Sequence, residues 1–598
     1  MPGPGSHNGT RGEIEKSKDF GKAIKRLTKE LMIFLAPIII ATILASAGSI
    51  IAIAIPGKLS DAVNEISNGL TQGMNYDAVW GLTIFVAILQ IVSAVFEIAE
   101  GFIMTTVSNK FARVLRNRIS TKVNKLPLKF FDDNQTGDTL SRITNDVDSI
   151  AQSLTESLST LVAAVTLLIG VVVMMLITNW IMALTAVVSG LIGFFFTSII
   201  LKKSQKYFSA RQYELGRINS HIEEIYSGLD VVKAYNGKAE SNEEFNRLNQ
   251  KVYNANRKSQ FLSGLMPPAM HFIGNFGYVA VCVVGAILAT NDIISFGAIV
   301  AFIVYVRMFT SPLSQIAQSL NYLQLAAAAS ERVFFFLDQP EMPGQKNQKA
   351  HLDRDKVKGY IEFKNVKFGY NDDKLIIKDF SAKATPGQKI AIVGPTGAGK
   401  TTMVNLLMKF YDIKDGDILI DGVSIHDLKR ENVHELFTMV LQDTWLFAGT
   451  IKQNIVYNRK DVSDEKIDEV LKTVGLAHFI NTLPKGINAE IRDNDSVSAG
   501  QRQLLTIARG MIEDSPFLIL DEATSNVDTR TEELVQKAMD KLAHGRTSFI
   551  IAHRLSTIKN ADLILVMKDG NVIETGTHDE LLKKNGFYAE LYNSQFQH

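Results

Sequence analysis

Cysteine is nearly absent from this sequence: Cys282 is the single one in 598 residues. That excludes an intrachain disulfide and any metal site built on a cysteine cluster. Cys282 lies in an apolar run, where it reads as a small buried hydrophobe rather than a reactive thiol. The opening stretch MPGPGSHNGTRG has no apolar core, so it is not a secretory signal peptide. Excess charge of either sign is missing too: 63 Lys and Arg against 62 Asp and Glu leave a formal net charge of +1. Nothing in that balance points to nucleic acid as a partner, and the placement of the charges says more than their sum.

At 598 residues the chain is too long for one core, so at least two domains are expected. The overall hydrophobic content of 46% conceals a split. Residues 31–328 carry long uncharged apolar runs, whereas the sequence after 353 mixes charged and apolar residues as a soluble enzyme does.

A bilayer core of about 30 Å takes roughly 20 apolar residues of helix. Residues 31–56 qualify as a first span and 79–104 as a second, with Glu97 and Glu100 near its end. Residues 157–201 hold no charge at all and are divided by the polar Thr178-Asn179 into spans three and four. Residues 259–291 give span five, and 293–328 give span six, interrupted by Arg307. The segment between spans two and three is basic (Lys110, Arg113, Arg116, Arg118, Lys122, Lys125, Lys129, Arg142), as is the segment between spans four and five. The opposite loops hold almost no basic residue apart from Lys58. The positive-inside rule therefore puts both long segments and both termini in the cytosol of a multi-pass protein of the cell membrane.

Charged residues inside spans are functional candidates. For Glu97 and Glu100, a cavity that attracts charged or amphipathic compounds and a structural role stand level. For Arg307, a structural pair is the expectation.

In the soluble half, the strand pattern Lys389-Ile390-Ala391-Ile392-Val393 runs into Gly394-Pro395-Thr396-Gly397-Ala398-Gly399-Lys400-Thr401-Thr402 and then a helical segment. That is a phosphate-binding P-loop in its required strand-loop-helix context. Its glycines turn N–H groups onto phosphate oxygens, Lys400 neutralises the β/γ-phosphates, and Thr401 is placed to ligate Mg²⁺. A second apolar strand, Phe517-Leu518-Ile519-Leu520, ends in Asp521-Glu522. There Asp521 would hold the Mg²⁺ shell and Glu522 would polarise a water attacking the γ-phosphate of ATP.

From residue 31 onward the chain resembles an ABC exporter half-transporter, with these motifs and others in family order. Tyr370 in Phe368-Gly369-Tyr370 matches the adenine-stacking aromatic, and Gln442 the residue linking the metal site to the transmembrane domain. Val497-Ser498-Ala499-Gly500-Gln501 matches the signature segment, Ser525-Asn526-Val527-Asp528 the loop at the dimer interface, and His553 the switch histidine. The resemblance implies six long transmembrane helices, in residues 31–330 after an N-terminal cytosolic segment (1–30). It adds two cytosolic helical hairpins at about 105–155 and 202–258, a linker over 331–352, and a cytosolic α/β ATPase domain over 353–598. It also implies that the hairpins, with turn-like breaks at Asp132 to Asp138 and Ser227 to Asp230, dock on ATPase domains as levers.

One departure stands out. The family's usual signature is Leu-Ser-Gly-Gly-Gln, and Val497 and Ala499 replace its leucine and first glycine. Lys400, Asp521, Glu522 and His553 are all present. In this family, the combination implies one subunit of a heterodimer whose partner has an intact signature and a degenerate catalytic glutamate; the alternative is a homodimer. Met174, Met175, Met270 and Met308 with several phenylalanines suit an adaptable cavity for small amphipathic substrates of the multidrug type. Lipid or peptide translocation is the alternative. A non-pumping regulator or channel is disfavoured by Glu522 with His553.

Overall fold

The computed structural model describes residues 19–134, 136–345, 348–371, 373–441, 444–491, 497–521, 529–552 and 555–596. The chain divides into two units: residues 1–125 with 135–340, and residues 126–134 with 341–598.

The first unit is helical. A short amphipathic helix, α1 (Phe20–Leu31), buries Ala23, Leu27 and Leu31 and leaves Lys22, Lys25 and Lys29 exposed. Then come α2 (Leu35–Gln72) and α3 (Tyr76–Val123). The tip segment α4 (Leu128–Asp133) groups with the other unit. After it the chain returns through α5 (Thr136–Ser141), an over-wide π turn (Arg142–Asp146) and α6 (Val147–Thr178). The unit is completed by α7 (Trp180–Ser227), α8 (Leu229–Ala234), α9 (Lys238–Gly264), α10 (Met266–Thr290) and α11 (Phe296–Leu337).

Short polar caps start the long helices. Asn75 accepts from the Ala78 N–H, Asn179 from those of Ile181 and Met182, and Ser295 from that of Ala298. Each satisfies donors that the first turn of a helix leaves unpaired. Thr178-Asn179 thus separates two helices at the place its polarity suggests.

Among the described residues four segments, Phe20–Leu70, Tyr76–Val123, Thr144–Thr178 and Phe296–Leu337, are long and apolar enough to cross a membrane. Two shorter apolar stretches, Trp180–Gly193 and Asn275–Thr290, fall within the segments expected as the fourth and fifth spans. The fifth span opens later than residue 259. Pro267 and Pro268 bring no N–H to the helical ladder, so α9 closes at Gly264 and α10 begins at Met266. Residues 331–337, which the sequence reading gives to the linker, are the last turns of α11, where Val333, Phe334 and Phe336 are buried.

The hub of this unit is α11, which packs along α6 and α2 and also meets α10. Its buried stripe includes Ala298, Ala301, Phe302, Tyr305, Val306 and Phe309. At its start a Cβ on Gly297 would stand 2.2 Å from the Ser60 carbonyl oxygen, so only glycine lets α11 approach α2 this closely. Lower down, the Arg332 guanidinium grips the Asp146 carboxylate with two bonds of 2.5 and 2.9 Å, tying α11 to the π turn. Of the charges inside spans, Glu100 is partly buried, while Glu97 is exposed. Arg307 corrects an expectation. It is exposed and has no ion-pair partner among the described residues.

Among the described residues of the second unit ten strands form one sheet: β1 (Ile361–Phe368), β2 (Ile377–Ala384), β3 (Lys389–Val393), β4 (Asp415–Ile420), β5 (Val423–Ser424), β6 (Phe437–Val440), β9 (Phe517–Asp521), β10 (Thr547–Ile551), β11 (Leu563–Lys568) and β12 (Asn571–Gly576). A separate small pair joins β7 (Gly449–Thr450) to β8 (Glu490–Ile491). The sheet order is β5-β4-β1-β2-β12-β11-β3-β10-β9-β6. The run β11-β3-β10-β9-β6 is parallel, and β5-β4-β1-β2 is antiparallel. Parallel strands buried on both faces read as unbroken apolar runs, as in IAIV of β3 and FLIL of β9.

The Asp146–Arg332 pair generates a test. Asp146→Ala leaves a partly buried guanidinium without its carboxylate, at a cost of about 1–2 kcal/mol once the arginine's partial exposure is discounted. A lower melting temperature of the purified protein in detergent is the expected readout, with Asp146→Glu losing less.

Candidate active site

Three parallel neighbours converge on the site. Ile551 of β10 aligns with Ile392 of β3 on one side and Asp521 of β9 on the other. The carboxyl ends of β3, β10 and β9 therefore stand side by side, the position where open parallel sheets bind ligands.

The loop after β3 is built by its glycines. A Cβ at Gly394 would lie 2.3 Å from the Met567 carbonyl oxygen, and Gly397 and Gly399 sit at φ of 85° and 101°. Those conformations turn successive N–H groups to one side and form a nest suited to anionic oxygens. Ala398 is buried and its N–H bonds back to the Pro395 carbonyl, while Pro395 and Thr396 are exposed. Gly399 caps α12 (Lys400–Leu407) in the left-handed conformation. The Lys400 ammonium lies across the loop, donating to the carbonyl oxygens of Gly394 (2.7 Å) and Pro395 (3.1 Å). Burial pulls its pKa below the usual lysine value, and the Asp521 carboxylate opposes that shift. A polyphosphate fits this arrangement: a desolvated cation and a ring of N–H groups face one place. Thr401 is exposed beside Lys400, and Asp521 closes β9, so a hydroxyl and a carboxylate suited to Mg²⁺ flank the same loop.

Thr402 is buried, and its hydroxyl meets the Tyr370 hydroxyl at 3.2 Å. Tyr370 stands edge-on to Phe368 and Tyr411, with ring centroids 5.1 and 5.0 Å away. The next helices are α13 (Arg430–Leu436), α14 (Ile451–Val456), α15 (Asp464–Thr473), α16 (Ala477–Thr482) and α17 (Ala499–Glu513), followed by α18 (Thr529–Ala543), α19 (Leu555–Lys559), α20 (His578–Lys584) and α21 (Phe587–Phe596). Ser498 caps α17: its hydroxyl accepts from the Gln501 N–H at 3.2 Å, and the Gln501 side chain accepts from the Ser498 N–H at 3.0 Å. Gly500 is buried. Val497 is also buried, in the core that includes Leu504 and Leu505 of α17, so its replacement of leucine is a packing change. Ala499 is different, because its methyl sits on the first residue of α17 beside the exposed Ser498. Gln442, Glu522, Asp528 and His553 lie outside the described residues.

The sequence reading missed a set of contacts made by α4. Lys129 donates to the Tyr370 carbonyl oxygen at 2.7 Å and to the Asn371 side chain at 3.4 Å. The Tyr411 hydroxyl donates to the Asp132 carboxylate. Burial and that carboxylate both push the Tyr411 pKa upward, which keeps the hydroxyl a donor. The one sequence signal was the aromatic pair Phe410-Tyr411 just after α12.

Residues 33–313 match the family described as ABC transporter transmembrane region, and residues 377–525 the one described as ABC transporter. A Mycobacterium bovis protein named "Fatty acid ABC transporter ATP-binding/permease protein" is 44% identical over 521 residues, 87% of this chain and 82% of that protein. A Bacillus subtilis protein named "Probable multidrug resistance ABC transporter ATP-binding/permease protein" is 32% identical over 514 residues, 85% of this chain and 75% of that one. A solved structure of a bacterial Atm1-family ABC exporter with ATP bound matches with a TM-score of 0.71 at 26% identity, covering 94% of this chain and 98% of its own.

Fold and site thus define a membrane protein whose helical transmembrane region is fused to an ATP-binding, ATP-hydrolysing domain in the cytosol. The chain belongs to the ABC transporter family, as an exporter half-transporter that couples ATP hydrolysis to transport.

The α4 contacts predict a specific defect. Lys129→Ala releases the backbone that carries Tyr370, so the KM for ATP should rise roughly fivefold, about 1 kcal/mol, with kcat at saturating ATP little changed. Lys129→Arg should restore the wild-type KM in a steady-state ATPase assay.

Proposed function

We propose that this protein exports small amphipathic compounds of the multidrug type across the cell membrane by alternating access, as one subunit of a heterodimer. The pairing of a complete hydrolytic set with an altered signature carries the heterodimer reading. Gly394 to Thr402 would bind the phosphates, with Lys400 on the β/γ-phosphates and Tyr370 stacked on adenine. Mg²⁺ would be held by Thr401, Gln442 and Asp521, and it supplies charge neutralisation for phosphoryl transfer. Glu522 would polarise the attacking water, and His553 would serve as the switch histidine for the γ-phosphate. Asp528 works at the dimer interface.

Ser498, Gly500 and Gln501 would face the nucleotide of the opposite domain. Ala499 adds a methyl group beside Ser498 where that nucleotide must approach closely, which supports assigning this signature to the weaker of two unequal sites. The intact hydrolytic site would be completed by the partner's signature.

The name of the 44%-identical mycobacterial relative favours a second reading of the cargo, a fatty-acid-like amphiphile. The multidrug name of the Bacillus subtilis relative favours the first. Both share an apolar body with a polar head. A panel of drugs, fatty acids and phospholipids tested for stimulation of the reconstituted ATPase separates them.

Two outcomes follow. Glu522→Gln should lower turnover by about two to four orders of magnitude, while retention of a fluorescent ATP analogue stays near wild type. The chain purified alone should hydrolyse ATP slowly; robust turnover without a second polypeptide would establish the homodimer instead.

A further inference from the structure

One exposed face of α11 changes character along its length. Arg307, Ser311, Ser314, Gln318 and Asn321 are all exposed and recur every three or four residues, so they share one side of the helix. The same side continues in the other direction as Ile303, Val300 and Phe296, which are apolar. Arg307 marks the boundary. It lies eleven residues from Phe296, roughly 16 Å at helical rise, and so well inside the hydrocarbon layer.

A guanidinium at that depth must face water, protein or an anion, and so must the hydroxyls and amides beside it. The opposite side of α11 is taken by its buried stripe, from Ala298 to Phe309. Residues 296–330 of α11 contain no acidic side chain, and no carboxylate pairs with Arg307 among the described residues. The face therefore offers a fixed cation, a polar track on its cytosolic side and an apolar strip on its outer side.

We propose that Arg307 is the headgroup site for anionic amphiphiles, binding a carboxylate or a similar oxyanion through its planar fork of donors. The hydrocarbon tail would lie along Ile303, Val300 and Phe296. The hydrated track of Ser311, Ser314, Gln318 and Asn321 is the approach from the cytosol. This inference rests on the reading of the chain as an exporter of amphipathic compounds and narrows its cargo to molecules with a negative head.

The test uses the full chain in lipid nanodiscs and three dansyl-labelled probes with one undecyl tail, ending in a carboxylate, a hydroxyl or an amine. Binding is read from probe emission. The wild type should bind the carboxylate about tenfold or more tightly than the alcohol, as a charge-assisted hydrogen bond requires. Arg307→Gln should abolish that preference with affinity for the alcohol retained, Arg307→Lys should keep most of it, and Arg307→Glu should shift it to the amine. An unchanged preference in Arg307→Gln and Arg307→Glu, or an equal loss for all three probes, overturns the headgroup site while leaving amphiphile export standing. Failure of the wild type to bind any of the three defeats the amphiphile reading itself.

Discussion

Hydrocarbon gives the peptide group nothing to bond with, and the first unit is organised by that constraint. Nearly every described residue from 35 to 337 is helical, so backbone donors and acceptors are satisfied within each segment. The long helices α3, α7 and α11 run far beyond a bilayer's thickness. Polar caps at Asn75, Asn179 and Ser295 start helices where the chain turns. Inside, α11 separates the two requirements of a transporter. Its small and aromatic buried stripe holds the bundle together, while its other face keeps a cation and a row of hydroxyls and amides available.

The ATPase unit answers to a different constraint, the placing of donors around a polyanion. Gly397 and Gly399 supply the backbone shape, Lys400 the buried charge, and the aligned ends of β3, β10 and β9 bring Asp521 to the same edge. Residues 126–134 belong to this unit and bond within it. Through α4, Lys129 holds the carbonyl of Tyr370, and Asp132 holds the hydroxyl of Tyr411, whose ring packs against Tyr370. α4 thus holds the backbone of Tyr370 and the hydroxyl of Tyr411.

Much of this was legible in the sequence because the strongest signals are local. A P-loop is a contiguous run, and Asn179 in a 45-residue uncharged stretch can only be a turn between spans. The π turn at 142–146 was harder to read, since it depends on how neighbouring helices pack, whereas the break at Leu265 follows from Pro267 and Pro268. The α4 contacts could not be read at all: Lys129 and Tyr370 are 241 residues apart, and a lysine in a basic loop looks like a topology signal. Arg307 was visible from the start, but that it meets no carboxylate among the described residues depends on which way α11 faces. The span boundaries near 259 and 331 shifted because helices end where prolines and packing stop them, not where hydropathy fades.

The central claim is that hydrolysis at the Lys400 site drives amphiphiles out of the cytosol. Inside-out membrane vesicles carrying the assembled transporter test it most directly, by following accumulation of a fluorescent amphiphile in their lumen. The account predicts uptake with ATP and Mg²⁺ and none with a non-hydrolysable ATP analogue. Equal uptake with the analogue, or accumulation only in right-side-out vesicles, would contradict it.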